Sequence, residues 1–138
     1  MPQTEKVLYS DKTHNSGGRD CTSRSSDGRL GVRLSSPGAP GTGTNPEQLL
    51  AAAWSACFIT AVKHEAEETK FSLPGSMAID AEVDLCTIGG TYGLRVRFNV
   101  SLPGLAREAA RALVGAADQA CPFSKATRGK VDVAINLL

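Results

Sequence analysis

The sequence predicts an α+β fold in which a mainly antiparallel sheet surrounds a long buried central helix. Three features predict it: a long apolar segment behind a helix-start signal, two alternating segments separated by a Gly-Gly pair, and another alternating segment near the end. Strand and helix patterns lack the regular alternation of doubly wound folds. The 138 residues are expected to form a single domain, 1–138.

The first third of the chain combines short strand patterns with polar loops. Lys6–Tyr9 is expected to form a short edge strand, and the polar stretch Asp11–Asp20 is expected to be a loop. Apolar residues alternate over Leu30–Leu34, which predicts a half-buried strand. Ser35–Asn45 contains two prolines and three glycines and therefore predicts a further loop.

A helix-start signal precedes the longest apolar segment. Asn45 is a favourable N-cap, Pro46 suits the first helical position, and Gln48 has the spacing of a capping box. Over Leu49–Val62 the apolar residues surround the helix instead of forming one stripe, as in a helix that is buried on most sides. Pro74-Gly75 is expected to end the segment.

The second half of the chain predicts a hairpin, a helix and a last strand. Ile79–Leu85 and Leu94–Leu102 alternate between apolar and polar residues, and Gly89-Gly90 between them predicts a hairpin turn. Val131–Leu137 alternates in the same way. Pro103-Gly104 precedes a second helix, which carries on one side Leu105, Ala109, Ala112, Leu113 and Ala116.

Composition excludes several classes of partner. Fifteen Lys and Arg residues against 14 Asp and Glu leave a net charge of +1, so no nucleic-acid partner is expected. The apolar segment Leu49–Val62 is shorter than the roughly 20 residues that cross a bilayer, so no membrane association is expected. The first ten residues lack the apolar stretch of a secretory signal, and a cytoplasmic location is therefore expected.

The cysteines are too few for a disulfide scaffold, and none of them forms a CxxC pair. His14 and His64 lie 50 positions apart, so no metal site is expected. Cys57 falls inside the predicted buried helix, where a free cysteine commonly packs as a small hydrophobe. Cys121 precedes a proline and is expected at a junction between elements. Taken alone, each could be inert or reactive, whereas Cys21 and Cys86 are expected to be inert.

Two charged residues have similarly open interpretations. Arg19 follows Gly17-Gly18, whose backbone freedom could turn the arginine inward, although most such arginines are solvated. Glu47 lies in the first turn of the predicted helix, where the helix dipole favours a carboxylate whatever its role.

Four separated motifs stand out along the chain: Gly17-Gly18-Arg19-Asp20, Asn45-Pro46-Glu47-Gln48-Leu49, Ser55-Ala56-Cys57-Phe58 and Cys121-Pro122-Phe123-Ser124. Taken together, they resemble the OsmC/Ohr superfamily, and most closely its organic hydroperoxide resistance (Ohr) branch. The resemblance extends from Val7 to Ile135. Trp54 stands where the Ohr pattern usually has tyrosine, and Cys21 stands where it usually has glycine.

The resemblance implies an intertwined homodimer and a thiol-dependent peroxidase that reduces organic hydroperoxides to alcohols. It implies that Cys57 is the peroxidatic cysteine and Cys121 the resolving cysteine, which together form a disulfide. Arg19 and Glu47 would be polar partners at the sulfur. No bound cofactor is required, and the reductant would be an external dithiol, typically a lipoylated protein. The apolar neighbours that could line the substrate pocket are Trp54, Phe58 and Phe123.

The spacing of two of these residues predicts a site shared between chains. Glu47 and Cys57 are ten positions apart on one predicted helix, hence about 15 Å along its axis. An arginine held by Glu47 could not easily also touch Cys57 of the same chain. Two such helices packed antiparallel would bring Glu47 of one chain to Cys57 of the other.

Three alternative functions remain open beside this one. The OsmC branch would have the same chemistry with a different substrate range. A cysteine hydrolase would need a histidine base, yet His64 lies about 10.5 Å from Cys57 along the helix axis. A non-enzymatic carrier of small ligands would have inert thiols.

Overall fold

The computed structural model describes residues 5–73 and 75–138. The chain divides into two compact units, the first ending at Pro46 and the second running from Glu47 to Leu138. The assignment of a single domain stays a prediction.

The first unit contains a three-stranded antiparallel sheet in the order β1-β2-β3. A single turn of 3₁₀ helix, Gly18–Asp20, connects the first two strands. The strands are β1 (Thr13–Ser16), β2 (Thr22–Ser25) and β3 (Gly31–Arg33).

The start of this unit differs from the sequence-based expectation. No strand covers Lys6–Tyr9, and β1 lies inside Asp11–Asp20, which was expected to be a loop. All four residues of β1 are polar and exposed, so no apolar alternation marks it, and it is held by pairing with β2 from Thr13↔Ser25 to Ser16↔Thr22. The expected strand around Leu30–Leu34 and the loop that follows it are confirmed.

In the second unit, two helices interrupt the chain between the last two strands of a sheet ordered β4-β5-β6. β4 and β5 are antiparallel, whereas β5 and β6 are parallel. The α+β class and the order of elements are therefore confirmed, with one parallel pair in the sheet. The elements are α1 (Pro46–Glu68), β4 (Ala78–Ile88), β5 (Thr91–Ser101), α2 (Arg107–Ala120), α3 (Pro122–Thr127) and β6 (Asp132–Leu137).

The hairpin between β4 and β5 turns at the predicted Gly-Gly pair. Gly89 and Gly90 both have positive φ angles, 59° and 83°, as a two-residue type I′ turn requires. The turn fixes a register in which Ala81 pairs with Phe98 and Val83 with Val96. One face of the sheet is therefore apolar.

The core lies between that face and one side of α1. The rings of Trp54 and Phe58 contact Phe98 at centroid distances of 5.3 and 5.6 Å. The buried residues of α1 are Trp54, Phe58, Ala61, Val62 and Ala66, a stripe at helical spacing.

Within the single chain, α1 is buried along one side, so burial on most sides stays a prediction that depends on a partner chain. Ala52, Ala53, Ala56 and Thr60 form an exposed face opposite the buried stripe. Alanine is compatible with either face of a helix, so the apolar composition of Leu49–Val62 could not reveal which side is covered. Within the described residues, no helix is both long enough and apolar enough to span a membrane.

The buried side of α2 is also shifted from the expected one. Leu113 is buried as expected, but Ala112 is exposed and Val114 is buried. The cause is again alanine, which occurs all around this helix and does not define the stripe. The residues that α2 buries are Ala110, Leu113, Val114 and Ala117.

The C-terminus of α1 ends in a Schellman-type arrangement built on a lysine. The N–H of Phe71 donates to the carbonyl of Ala66 at 2.9 Å, and the N–H of Lys70 donates to that of Glu67 at 3.2 Å. Lys70 has φ 59°, in the left-handed region where glycine is usual. Pro74, which was expected to end the segment with Gly75, lies outside the described residues.

Lys70→Gly is expected to stabilise the fold. A left-handed conformation costs a residue with a Cβ about 1–2 kcal/mol, and the greater chain entropy of glycine offsets about 0.5–1 kcal/mol of that gain. The free energy of unfolding in denaturant should rise by about 0.5–1 kcal/mol. Lys63→Gly, on the exposed side of the same helix, is the matched control and should lower it by about 1 kcal/mol. An equal loss in both variants would contradict the interpretation.

Candidate active site

Two sulfur atoms meet where α1 passes the junction of α2 and α3. Cys57 lies midway along α1, and Cys121 lies between the last residue of α2 and the first of α3, the junction that was expected. The thiol of Cys121 donates to Sγ of Cys57 at 3.4 Å. A disulfide needs about 2.05 Å between the sulfurs, so a small movement would join them.

The two thiols differ in their access to solvent. Cys57 is half-buried, whereas Cys121 has no exposed surface. A reagent that approaches this chain therefore meets Cys57 first. Cys121 can act on it from inside the protein.

The backbone holds Cys121 from both sides. Its N–H donates to the carbonyl of Ala117 at 2.8 Å, and its carbonyl accepts from the N–H of Lys125 at 2.9 Å. Pro122, the first residue of α3, has no N–H to satisfy and suits a helix start. The cysteine is thus anchored in α2 and α3 at once.

The surroundings of Cys57 favour its neutral form. Burial raises the pKa of the Cys57 thiol, and the hydrogen-bonded Cys121 sulfur raises it further, because two negative charges this close repel each other. The backbone N–H of Phe123 acts in the opposite direction. A nearby positive charge is needed to keep the Cys57 thiolate populated at neutral pH.

The three residues expected to line a substrate pocket lie in different settings. Trp54 and Phe58 are core residues, 1% and 0% exposed, and Phe123 is 38% exposed at the start of α3. The indole N–H of Trp54 donates to Oγ of Ser124 at 3.0 Å. Trp54 and Ser124 also line a cavity of about 190 Å³. Sequence reasoning did not identify Ser124 as a partner, although it ends one of the four motifs.

The two expected polar partners, Arg19 and Glu47, belong to different units of the chain. Arg19 is half-buried in the 3₁₀ turn of the first unit, directly after Gly17 and Gly18, whose φ angles of 75° and 60° require glycine. Glu47 lies in the first turn of α1, ten residues before Cys57 on the same unbroken helix. Glu47 and Cys57 are therefore about 15 Å apart along the axis of α1.

Of the two remaining cysteines, Cys86 belongs to the second unit and Cys21 to the first. Cys86 is in β4, paired with Gly93. Cys21 precedes β2, and a hydrogen bond with Ser16, 3.5 Å between Oγ and Sγ, lowers the pKa of its thiol. Cys21 is therefore the thiol to control for in any chemical test.

A histidine base for Cys57 finds no support in the second unit. His64 is exposed on α1 with Nε2 3.8 Å from the carboxylate of Glu68, one turn further from Cys57. His14 belongs to β1 of the first unit. Within residues 5–73 and 75–138, no group of three or more His, Cys, Asp or Glu side chains could hold a metal ion.

Cys121→Ala is expected to lower the pKa of Cys57. The substitution removes a sulfur that raises the pKa of Cys57, because ionising both thiols would bring two negative charges into contact. In a Cys21→Ser, Cys86→Ser background, the alkylation rate of Cys57 should therefore rise at lower pH than in the parent. The measurement is alkylation against pH, with the modified cysteine identified by mass spectrometry. An unchanged or higher pKa would mean that Cys121 does not control this thiol.

Known proteins resemble this chain in sequence over nearly its full length. The OsmC-like protein family model matches residues 39–136. The organic hydroperoxide resistance protein of Xanthomonas axonopodis pv. citri (strain 306) is 44% identical, with 99% of each chain covered. Organic hydroperoxide resistance protein OhrB of Bacillus subtilis (strain 168) is 40% identical, over 95% of this chain and 98% of its own.

The fold gives the same result. The crystal structure of OhrB of Bacillus subtilis superposes with a TM-score of 0.90 at 39% identity, covering 96% of this chain and all of that one. An organic hydroperoxide resistance protein from Legionella pneumophila superposes with a TM-score of 0.89 at 38% identity, covering 96% of this chain and 98% of that one. With its family-model match, its full-length relatives and its fold in agreement, the chain belongs to the OsmC/Ohr superfamily, and its relatives are organic hydroperoxide resistance proteins.

Proposed function

We propose that this chain is a cysteine-based peroxidase that reduces organic hydroperoxides to alcohols. The observation that carries the proposal is the 3.4 Å contact between a half-buried Cys57 and a fully buried Cys121. An accessible thiol with a second thiol behind it is the arrangement that a two-cysteine peroxidase needs. The names of the relatives, organic hydroperoxide resistance proteins, supply the substrate class.

The reaction has two steps that balance without a bound cofactor. The Cys57 thiolate attacks one peroxide oxygen, the O–O bond breaks, and the alkoxide leaves and takes up a proton to give the alcohol. Cys57 is then a sulfenic acid. Cys121 attacks its sulfur, the S–O bond breaks, water leaves and the disulfide forms. An external dithiol reduces the disulfide, and we propose a lipoylated protein as that reductant.

Arg19 is proposed to supply the positive charge that the Cys57 thiolate needs. A guanidinium remains charged at any physiological pH, and it can donate to the peroxide oxygen as negative charge develops on the leaving alkoxide. Glu47 is proposed to hold this guanidinium by a paired interaction that fixes its direction. Together they would offset the effect of burial on Cys57.

Apolar side chains are proposed to favour organic peroxides over hydrogen peroxide. Phe123 follows Cys121 closely and exposes part of its ring, so it can contact an alkyl group that approaches Cys57. Trp54 and Phe58 are buried residues of α1, so they are proposed to support such a pocket from within the core instead of contacting the substrate. We further propose that the protein acts in the cytoplasm, where its thiols stay reduced.

The active unit is proposed to be a homodimer that shares its sites between chains. Glu47 is too far along α1 to reach Cys57 of its own chain, whereas antiparallel packing of two α1 helices would bring the two together. The exposed face of α1 supports such packing, because it carries Ala52, Ala53 and Ala56, which allow close approach.

One equivalent of an alkyl hydroperoxide is expected to produce a Cys57–Cys121 disulfide, located by mass spectrometry. Cys57→Ser should abolish turnover, because no thiolate remains to attack the peroxide. Cys121→Ser should consume about one peroxide per chain and then accumulate sulfinic acid at Cys57.

Cys21→Ser and Cys86→Ser are the matched controls and should turn over normally. If Cys121→Ser turns over normally with a dithiol at high peroxide, Cys121 is not the resolving cysteine, and Cys21 becomes the residue to test. A chain that loses no thiols to peroxide would be a carrier instead of a peroxidase.

Complementation between two inactive chains tests the shared site. Glu47→Ala and Cys57→Ser homodimers should each be poor peroxidases. In their heterodimer, one site combines an intact Glu47 from one chain with an intact Cys57 from the other, so about half of the wild-type activity should return. Peroxide consumption is measured on purified heterodimer carrying two different tags. No recovery, with both parents impaired, would place the pair within one chain.

A further inference from the structure

A second buried contact joins the same two segments that carry the sulfurs. Trp54 lies three residues before Cys57 on α1, and Ser124 lies three residues after Cys121 on α3. The indole N–H of Trp54 donates to Oγ of Ser124 at 3.0 Å, and the thiols of the same two segments are in contact at 3.4 Å. Both partners are nearly inaccessible, at 1% and 4% exposed.

The surroundings of Trp54 fix the direction of this hydrogen bond. Its indole packs edge-on against Phe98 of β5, with 5.3 Å between ring centroids and 81° between ring planes. The ring is therefore held from the sheet side while its N–H meets Ser124. A buried donor or acceptor that loses its partner is costly, so α1 and α3 are held at one separation.

We infer that Trp54 and Ser124 are positioning residues for closure of the Cys57–Cys121 disulfide, because their hydrogen bond holds α1 and α3 at the distance that the two sulfurs need. The inference rests on the proposed function. In closure, the sulfur of Cys121 bonds to that of Cys57, the S–O bond of the sulfenic acid breaks, and water leaves with the proton of Cys121.

Disulfide closure is sensitive to this distance. The sulfurs must move from 3.4 Å to about 2.05 Å apart, so any drift of α3 away from α1 adds directly to the movement required. A displacement of about 1 Å can slow a reaction up to about 100-fold. Slow closure would leave the sulfenic acid available to a second peroxide, which converts it to sulfinic acid.

The side-chain chemistry separates the hydrogen bond from packing. Trp54→Phe keeps an aromatic ring against Phe98 but has no donor. Ser124→Ala leaves the indole intact and removes the acceptor. Ser124→Thr retains the hydroxyl and tests rescue by the conservative variant. Val62→Ala is the matched control, because Val62 is fully buried on α1 and takes no part in the contact.

The experiment measures closure without peroxide, in a Cys21→Ser, Cys86→Ser background. Cys57 is first converted to a mixed disulfide with thionitrobenzoate, and attack by Cys121 then releases the coloured thiolate. Release should be about 10-fold to 100-fold slower in Trp54→Phe and in Ser124→Ala than in the parent. Ser124→Thr and Val62→Ala should remain within about threefold of the parent, since each retains the hydrogen bond.

Two results would overturn the inference. One is release at the parent rate in Ser124→Ala, which settles the matter even if Trp54→Phe does not fold. The other is an equal slowing in Val62→Ala, which would attribute the effect to general destabilisation.

A parallel peroxide assay tests the proposed function separately. The parent should lose its Cys57 thiol to one equivalent of alkyl hydroperoxide, and the Ser124→Ala variant should do so at a similar rate. With excess hydroperoxide, Ser124→Ala should accumulate more sulfinic acid at Cys57 than the parent does. A parent that does not react with peroxide would overturn the proposed function. The release of thionitrobenzoate would still decide whether Trp54 and Ser124 position the sulfurs.

Discussion

Phe98, at the centre of β5, receives two aromatic rings from α1, and the geometry of the sulfur pair depends on this contact. Trp54 and Phe58 lie one turn apart on the helix and both reach the same ring of the sheet. Their contact fixes the rotation of α1 about its own axis. Cys57, next to Phe58 along the chain, is therefore held at the flank of the buried stripe, half-buried and facing Cys121.

The burial that places Cys121 behind Cys57 also makes ionisation of Cys57 less favourable. A second sulfur can lie behind the first only inside the protein, where Cys121 has no exposed surface. The same burial disfavours the thiolate that reacts with an electrophile. The proposed peroxidase chemistry therefore requires a permanent positive charge beside a low-dielectric interior, and an arginine would meet this need because its charge survives burial.

Much of the second unit could be predicted from sequence because its signals are local. The start of α1 at Pro46, the Gly89-Gly90 turn and the alternation of β6 each lie within a few residues. β1 had no such signal, because its four residues are polar and its pairing partner is the only reason it is a strand. Which side of α1 the sheet covers could not be predicted from its alanines, because alanine does not distinguish a covered surface from an open one.

The site shows the same limit more sharply. Periodicity placed Cys57 on a helix, and the proline after Cys121 placed that residue at a junction. Nothing in the residues between them indicates that they meet, and the expected pairing came from the family resemblance. The Trp54–Ser124 contact spans 70 positions and was not anticipated. Contacts of this kind result from the topology, which only the folded chain displays.

The parallel pairing of β5 and β6 has a consequence for how the chain tolerates changes in length. Parallel neighbours need a crossover, and this crossover carries α2, Cys121 and α3 across the sheet face that α1 also covers. The exposed turn at Pro103-Gly104 could absorb an added residue without moving the sulfur. An added residue between Cys121 and Ser124 would separate the thiol contact from the indole contact. Insertions and deletions should therefore accumulate in homologues at the first position and be excluded from the second.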